Sequence, residues 1–420
     1  MSFTSRRSFL AGSLAGALSA CDRGLAGGED RASLWYAYGG KNREVLERLL
    51  ARFHADPRHP RIDATFQGDY FESLAKVRTA IAAGAAPAMT HVVAEVVPYL
   101  AEAGALEPLD GYEGAGDLDL VPSIAQSGTY ERGGERPLVA IPFNRSVPIM
   151  YVNTRLLERA KVDVPRTWDE LRTAAIALTE RRGSDVAVWG FECPISWWFW
   201  AALMASAGGK VIDEKGRVTL GGPAGVRGLD FWQTLTHRDR VMRPPVGRDY
   251  AAWQMGTQHF LSGTTAILWS TAAYLRYIEE GAAFPVEVAP IPADVRHAVP
   301  SGGTFFVLLR AAEERAKRAA WQFLRFMMQR EQAIEWATST GYLPVTRAAV
   351  AELSRTGYYD THPNDKVVLG ELDAIEPWPW STTLFRVQRE IMEPLLEDAV
   401  IEGTSAEQAL ARGQREALLP

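Results

Sequence analysis

"IPFNRSVPIMYVNT" (residues 141–154) joins two kinds of sequence in one run. Its first half is polar and kinked, with Pro142, Asn144, Arg145 and Ser146, whereas Pro148 to Asn153 is the apolar sequence of a buried strand. A surface turn would need only the kink. A guanidinium, an amide and a hydroxyl set immediately before a core strand fit a second reading, in which the chain crosses here between two lobes and presents these groups to a ligand.

On either side of this stretch, strands alternate with helices. Upstream, "SLWYAY" (33–38), "RIDATFQG" (61–68) and "AMTHVVAE" (88–95) read as strands, separated by amphipathic helices over 42–56 and 70–84. Downstream, Thr167 and Glu170 form a capping box that opens a helix over 168–182. "DVAVWGFEC" (185–193), "TTAILWS" (264–270), "FPVEVAPIP" (284–292) and "GGTFFVLLR" (302–310) are further strands, followed by a long helical region over 314–338 and a helical end over 364–419. This order predicts an α/β fold with right-handed crossovers and mixed, parallel-rich sheets flanked by helices. A chain of 420 residues exceeds what one core comfortably supports, so two lobes are expected. Ligands of open α/β sheets bind at the carboxyl ends of strands. The loops "GDY" (68–70), "AE" (94–95), "PFNRS" (142–146), "WST" (269–271) and "SGG" (301–303) lie at such ends, while "TGYLP" (340–344) follows a helix.

Hydrophobic residues at 47% and charged residues at 23% are ordinary globular values. A net charge of −6 argues against a nucleic-acid binder but leaves an anionic small molecule open, because a few convergent donors outweigh the sign of the whole surface. The first residues differ from the rest. "TSRRSFLAGSLAGALSAC" has paired Arg6 and Arg7 before an apolar stretch too short to span a bilayer of roughly 30 Å, and it reads as an export signal over 1–21. "SRRSFL" resembles a twin-arginine (Tat) signal and "LSAC" a lipobox, in which Cys21 is diacylated; Asp22 resembles the signal retaining such lipoproteins on the inner membrane. Residues 22–32 would be a flexible tether. The other cysteine, Cys193, is expected as a buried small hydrophobe, which rules out a disulfide framework and a cysteine metal site.

Catalytic patterns are scarce. A secreted carbohydrate-active enzyme would need two carboxyl groups, for which Glu95 and Glu192 are candidates, but no G-x-S-x-G elbow, P-loop or H-E-x-x-H stretch occurs and the seven histidines are scattered. The aromatic run "ISWWFW" (195–200) is read either as helix core or as an indole, Trp198, that stacks on a ligand's CH face; Trp35, Trp269 and Trp378 raise the same question.

The residues then match a known pattern. "FQGDYFESLAKVRTAIAAGAAPA" (66–88), "PFNRSVPIMYVNT" (142–154), "TWDEL" (167–171), "TGYLPVTRAA" (340–349) and "TSAEQAL" (404–410) resemble the extracellular solute-binding proteins (family 1) of bacterial ATP-binding-cassette (ABC) importers, and within them the sn-glycerol-3-phosphate binders. The resemblance implies a two-lobed periplasmic-binding-protein fold, with residues 33–143 and 300–345 in one lobe and 144–299 and 346–420 in the other. It implies glycerol hydroxyls meeting Tyr70 and Glu95, and a phosphate held by Ser146, by Ser270 or Thr271, and by Gly303, Tyr342 and Arg389. Arg145 departs from the pattern, which has a small polar residue there; it either adds positive charge beside the phosphate or fills the cleft. The implied protein is a periplasmic monomer without cofactor or metal. It captures glycerol-3-phosphate, a glycerophosphodiester or, alternatively, a neutral sugar or oligosaccharide, docks on permease subunits powered by an ATPase, and touches the membrane only through its lipid anchor.

Overall fold

The computed structural model describes residues 30–130, 137–247 and 249–419, except for the side chain of Asp249. The export signal, Cys21 and most of the expected tether lie outside the described residues. In chain order the first part contributes strands β1 (Arg31–Tyr36), β2 (Arg61–Phe66), β3 (Met89–Val93) and β4 (Ile141–Ser146). Next come β5 (Pro148–Asn153), β6 (Glu180–Arg182), β7 (Asp185–Glu192), β8 (Met242–Arg243), β9 (Thr265–Thr271) and β10 (Val286–Pro290). The chain then runs through β11 (Val299–Pro300) into β12 (Gly302–Leu308), and a late β13 (Ile375–Glu376) pairs with β11.

Two sheets result. One has the order β2-β1-β3-β12-β4 and the other β10-β5-β9-β7-β6, with β8 alongside β7. β12 returns to the first sheet only after β5 to β11, so the first sheet is discontinuous in sequence, whereas the second is built from the consecutive strands β5 to β10. Both sheets are mixed: the parallel pairing expected from strand–helix alternation joins β1 to β2 and β3 and β7 to β9 and β8, while β12 and β5 run antiparallel to both of their neighbours. Val147 alone separates β4 from β5. At that point the chain passes from one sheet to the other, and every residue from Ile141 to Asn153 is buried.

Local differences from the sequence reading have physical causes. β1 begins at Arg31, which takes the last two residues from the expected tether. The helix opened by the Thr167–Glu170 capping box runs only to Leu178, because Thr179 adopts extended backbone and its hydroxyl turns back onto the carbonyl of Ala175 at 2.7 Å. The polar residues after it form β6, which turns through Gly183 (φ 65°) to pair with β7. The helical region after β12 is two helices, Glu314–Met327 and Arg330–Thr340, broken where Gln329 turns extended to cap the second.

The apolar interior is continuous across the two main sheets: Leu34, Leu46, Phe53, Met89, Phe306 and Phe323 are fully buried around the first, and Tyr151, Leu171, Trp232, Phe260, Ile267 and Trp269 around the second. Cys193 is a free, buried thiol whose pKa burial pushes well up, as fits a packing residue. Among the described residues, no helix is long and apolar enough to cross a membrane.

Candidate functional site

The polar residues of β4 form the floor of the seam between the sheets. Asn144 is fully buried, and its Oδ1 accepts the backbone N–H of Thr304 at 2.8 Å and the Thr304 hydroxyl. Its Nδ2 therefore points the other way, donating to the hydroxyls of Tyr70 at 3.1 Å and Tyr342 at 3.3 Å. Tyr70 is the first residue of the helix Tyr70–Ala82, whose start is fixed by a reciprocal capping box between Asp69 and Glu72. Tyr342 arrives from the end of the helix Arg330–Thr340 and lies parallel to Trp336, with ring centroids 5.8 Å apart. Gly341 makes this approach possible. Its φ is 95°, and a Cβ there would stand 2.6 Å from the carbonyl of Ala272 in the turn after β9. Burial raises the pKa of both tyrosines, so both hydroxyls stay protonated at neutral pH.

Arg145 is fully buried and belongs to no ion pair among the described residues. Its Nη2 donates to Ser301 Oγ at 2.6 Å and its guanidinium lies 4.4 Å from the centre of the Phe305 ring, but Nε and Nη1 have no partner. Burial pulls its pKa down to about 10, which leaves it charged, and Glu95 opposes that shift through space. Glu95 follows β3 in a short turn at 7% exposure; burial raises its pKa to about 7, partly offset by a backbone hydrogen bond and the field of Arg145. A buried cation and a buried acid thus share this region without a direct bond.

From the facing sheet, Thr271 brings its hydroxyl to 2.5 Å from Ser146 Oγ. Of the two neighbours in β9, Thr271 meets Ser146, whereas Ser270 is buried with its hydroxyl unpartnered. Gly303 has φ 80°, and a Cβ would fall 1.7 Å from the carbonyl of Asn144, so the bulged pairing of β12 on β4 by itself requires glycine. Trp198 reaches across the seam: a Cβ on Gly302 would meet its ring at 2.6 Å, Trp253 lies 5.7 Å away, and its Nε1 is unpartnered. Arg389 stands at the start of the Tyr70–Ala82 helix with its guanidinium 3.9 Å from the Phe71 ring centre.

Other candidates turn out to be framework. Trp378 donates to the carbonyl of Ser301 at 2.8 Å and stacks on Trp197, Trp269 is enclosed against Phe191, and Trp35 is a half-buried residue of β1. Glu192 is fully enclosed in the second lobe. Its carboxylate is occupied by Arg243 at 2.9 Å, Thr265 at 2.5 Å and His259 at 2.7 Å, which makes it a structural anion rather than a catalytic partner for Glu95. Sequence reasoning overlooked His91 and Thr304; Ser301 entered it only within the "SGG" loop, and Asn144 only as the amide of the crossing stretch. The available signal was a polar residue inside an otherwise apolar strand, which must find a buried partner.

Residues 49–364 match the profile of a bacterial extracellular solute-binding protein family. The sn-glycerol-3-phosphate-binding periplasmic protein UgpB of Escherichia coli O1:K1 / APEC is 24% identical over 375 residues, covering 83% of this chain and 82% of its own length. UgpB from Mycobacterium tuberculosis in complex with glycerophosphocholine superimposes with a TM-score of 0.81 at 22% identity, over 93% of this chain and 98% of that one. The GacH receptor of Streptomyces glaucescens, studied with acarbose, and maltose-bound MalE3 of T. maritima both reach 0.80, at 22% and 21% identity, over 92% of this chain and 98% of theirs. The fold is therefore that of the two-lobed periplasmic binding proteins, and the chain belongs to the bacterial extracellular solute-binding protein family.

Proposed function

We propose that this chain is the substrate-binding component of an ABC importer, capturing glycerol-3-phosphate or a glycerophosphodiester between its lobes and delivering it to the permease. The observation that carries the ligand reading is Arg145, a buried guanidinium with two nitrogens, Nε and Nη1, unspent and no acidic partner among the described residues. Burying a charge in that state is costly, and an anionic ligand group would offset the cost. Around it lie the hydroxyls of Tyr70, Tyr342, Ser146 and Thr271, with Glu95 as acceptor for ligand hydroxyls and Arg389 as a second cation at the rim. The resemblance to glycerol-3-phosphate binders supports the same class.

Capture follows from lobe closure. The lobes are taken as residues 33–143 with 300–345, and 144–299 with 346–420, and a ligand touching both favours the closed form because only that form offers both sets of contacts. Export by the Tat pathway, anchoring through Cys21 and a monomeric state complete the proposal. A neutral sugar or oligosaccharide is the second reading, favoured by the half-buried Trp198 beside Trp253 and its unspent indole N–H.

Calorimetry separates the two. The expected result is binding of glycerol-3-phosphate and glycerophosphocholine without turnover, no binding of maltose or trehalose, and at least ~10-fold weaker binding in Arg145→Met and Arg389→Ala, the scale of one lost charged hydrogen bond. Unchanged affinity for glycerol-3-phosphate in Arg389→Ala would remove that residue from the phosphate site, and tight binding of maltose alone would replace the ligand.

A further inference from the structure

The seam contains a hydrogen-bond chain whose direction can be followed from one end to the other. The backbone N–H of Ala37 donates to His91 Nε2 at 3.0 Å, so that nitrogen carries no proton. Burial lowers the pKa of His91 to about 3, and the ring is neutral with its single proton on Nδ1. Nδ1–H then donates to Thr304 Oγ1 at 2.9 Å, and the Thr304 hydroxyl passes its own proton to Asn144 Oδ1. The Thr304 backbone N–H also donates to Oδ1, so a main-chain group fixes the amide independently of the imidazole. Both protons of Asn144 Nδ2 are thereby committed to Tyr70 and Tyr342. Each tyrosine oxygen accepts at this point, which turns its O–H away from Asn144. Tyr342 can give its proton to the Tyr70 oxygen, and Tyr70 then faces outward as the final donor.

We propose that Asn144 is a positioning residue that, together with Tyr342, occupies both lone pairs of the Tyr70 oxygen and leaves its O–H as a donor, so that the solute must present an acceptor oxygen to Tyr70, and an ammonium or amide N–H is rejected there. His91 and Thr304 hold Asn144 in that orientation. The class of group selected is a phosphoryl, carboxylate, ether or hydroxyl oxygen. The proposal rests on the solute-capture reading of this site but not on the identity of the solute.

Asn144→Asp tests it with almost no change in shape. The carboxylate still accepts from Thr304, but its second oxygen now accepts from both tyrosines and draws their protons inward. For the tightest binder among glycerol-3-phosphate, glycerophosphocholine and maltose, Kd is expected to rise about 10- to 100-fold, the scale of lost donors in a desolvated site. In a Tyr70→Phe/Tyr342→Phe background the same substitution should cost several-fold less, because the groups it acts through are gone. A full-sized loss in that background would mean that Asn144→Asp acts by charge alone and would overturn the proposal. A measurement on the unliganded protein does not depend on any solute or on Asn144→Asp folding. The chain has four asparagines, Asn42, Asn144, Asn153 and Asn364, so 15N-asparagine labelling gives four side-chain NH2 pairs. One pair is expected to exchange slowly with solvent and to shift in both Tyr70→Phe and Tyr342→Phe; four pairs indifferent to both substitutions would also overturn it. Failure of glycerol-3-phosphate to bind would count against the proposed solute only, and this NMR result would still decide the role of Asn144.

Discussion

At the scale of the residue, Glu95 illustrates an acid whose burial costs stability once it is ionised. Its pKa rises from 4.5 to about 7 because burial disfavours the carboxylate. An acid whose folded pKa lies above its unfolded value holds its proton more tightly when folded; its stabilising contribution is full below the unfolded pKa and is lost as pH rises through the folded one. At pH 8 the buried charge therefore costs up to about 3 kcal/mol, at 1.36 kcal/mol per pKa unit. Glu95→Gln is expected to raise stability in urea at pH 8 by that order and to change it little at pH 4.5. The same substitution should flatten the part of the ligand-affinity profile that rises between about pH 6 and 8, where wild-type Glu95 gains the charge that accepts hydroxyl protons. A gain in stability as large at pH 4.5 as at pH 8 would show that burial of the ionised form is not its source.

Individual elements are shaped by backbone contacts as much as by side chains. Strand β12 enters the first sheet through Gly302 and Gly303, and the bulge there lets Thr304 reach both Asn144 and His91. Gly303→Ala would place a methyl group 1.7 Å from the Asn144 carbonyl at a φ of 80°, so both space and conformation oppose it. The strands would have to separate, at an expected loss of at least about 3 kcal/mol, in the range reserved for overpacking combined with backbone strain. Chemical denaturation reads this directly, and a midpoint within error of wild type would mean that β12 shifts freely along β4. The resemblance implies a ligand contact for Gly303, yet the packing of two strands is sufficient reason for a glycine at this position.

Across the whole molecule, Arg276 joins parts that are distant in sequence. From the helix Leu275–Gly281 after β9 its Nε donates to the carbonyl of Thr338 at 2.8 Å, at the end of the helix that leads to Tyr342. Its other nitrogens meet Glu279 at 2.5 Å, the Tyr358 hydroxyl at 3.0 Å and Asp365. The segment carrying Tyr342 is thus anchored to the helix after β9 at Thr338, three residues before Gly341 packs on the turn at Ala272. Arg276→Met is expected to cost about 3 kcal/mol, because Asp365 is left buried without its partner. Adding Asp365→Asn should recover a good part of the loss by removing the stranded charge. Additive losses in the double variant, measured by denaturation, would show that the two residues act separately.

Much of this protein could be read from its sequence, and what could be read was local. Alternating apolar residues mark buried strands, the Thr167–Glu170 capping box opens its helix where expected, and "PFNRSVPIMYVN" announces a crossing because polar groups seldom stand directly before a core strand without a partner. Short-range rules act on residues that are neighbours in the chain, and they are visible there. The tertiary structure decided which distant groups meet: that Thr271 and not Ser270 faces Ser146, that Glu192 is spent on Arg243 and His259, and that the antiparallel return of β12 brings Thr304 to Asn144 and His91. A one-residue step along β9 exchanges the seam for the core because side chains alternate across a strand. The direction of a buried hydrogen bond depends on its partner, and the partners here lie 160 residues apart for Asn144 and Thr304 and 198 for Asn144 and Tyr342.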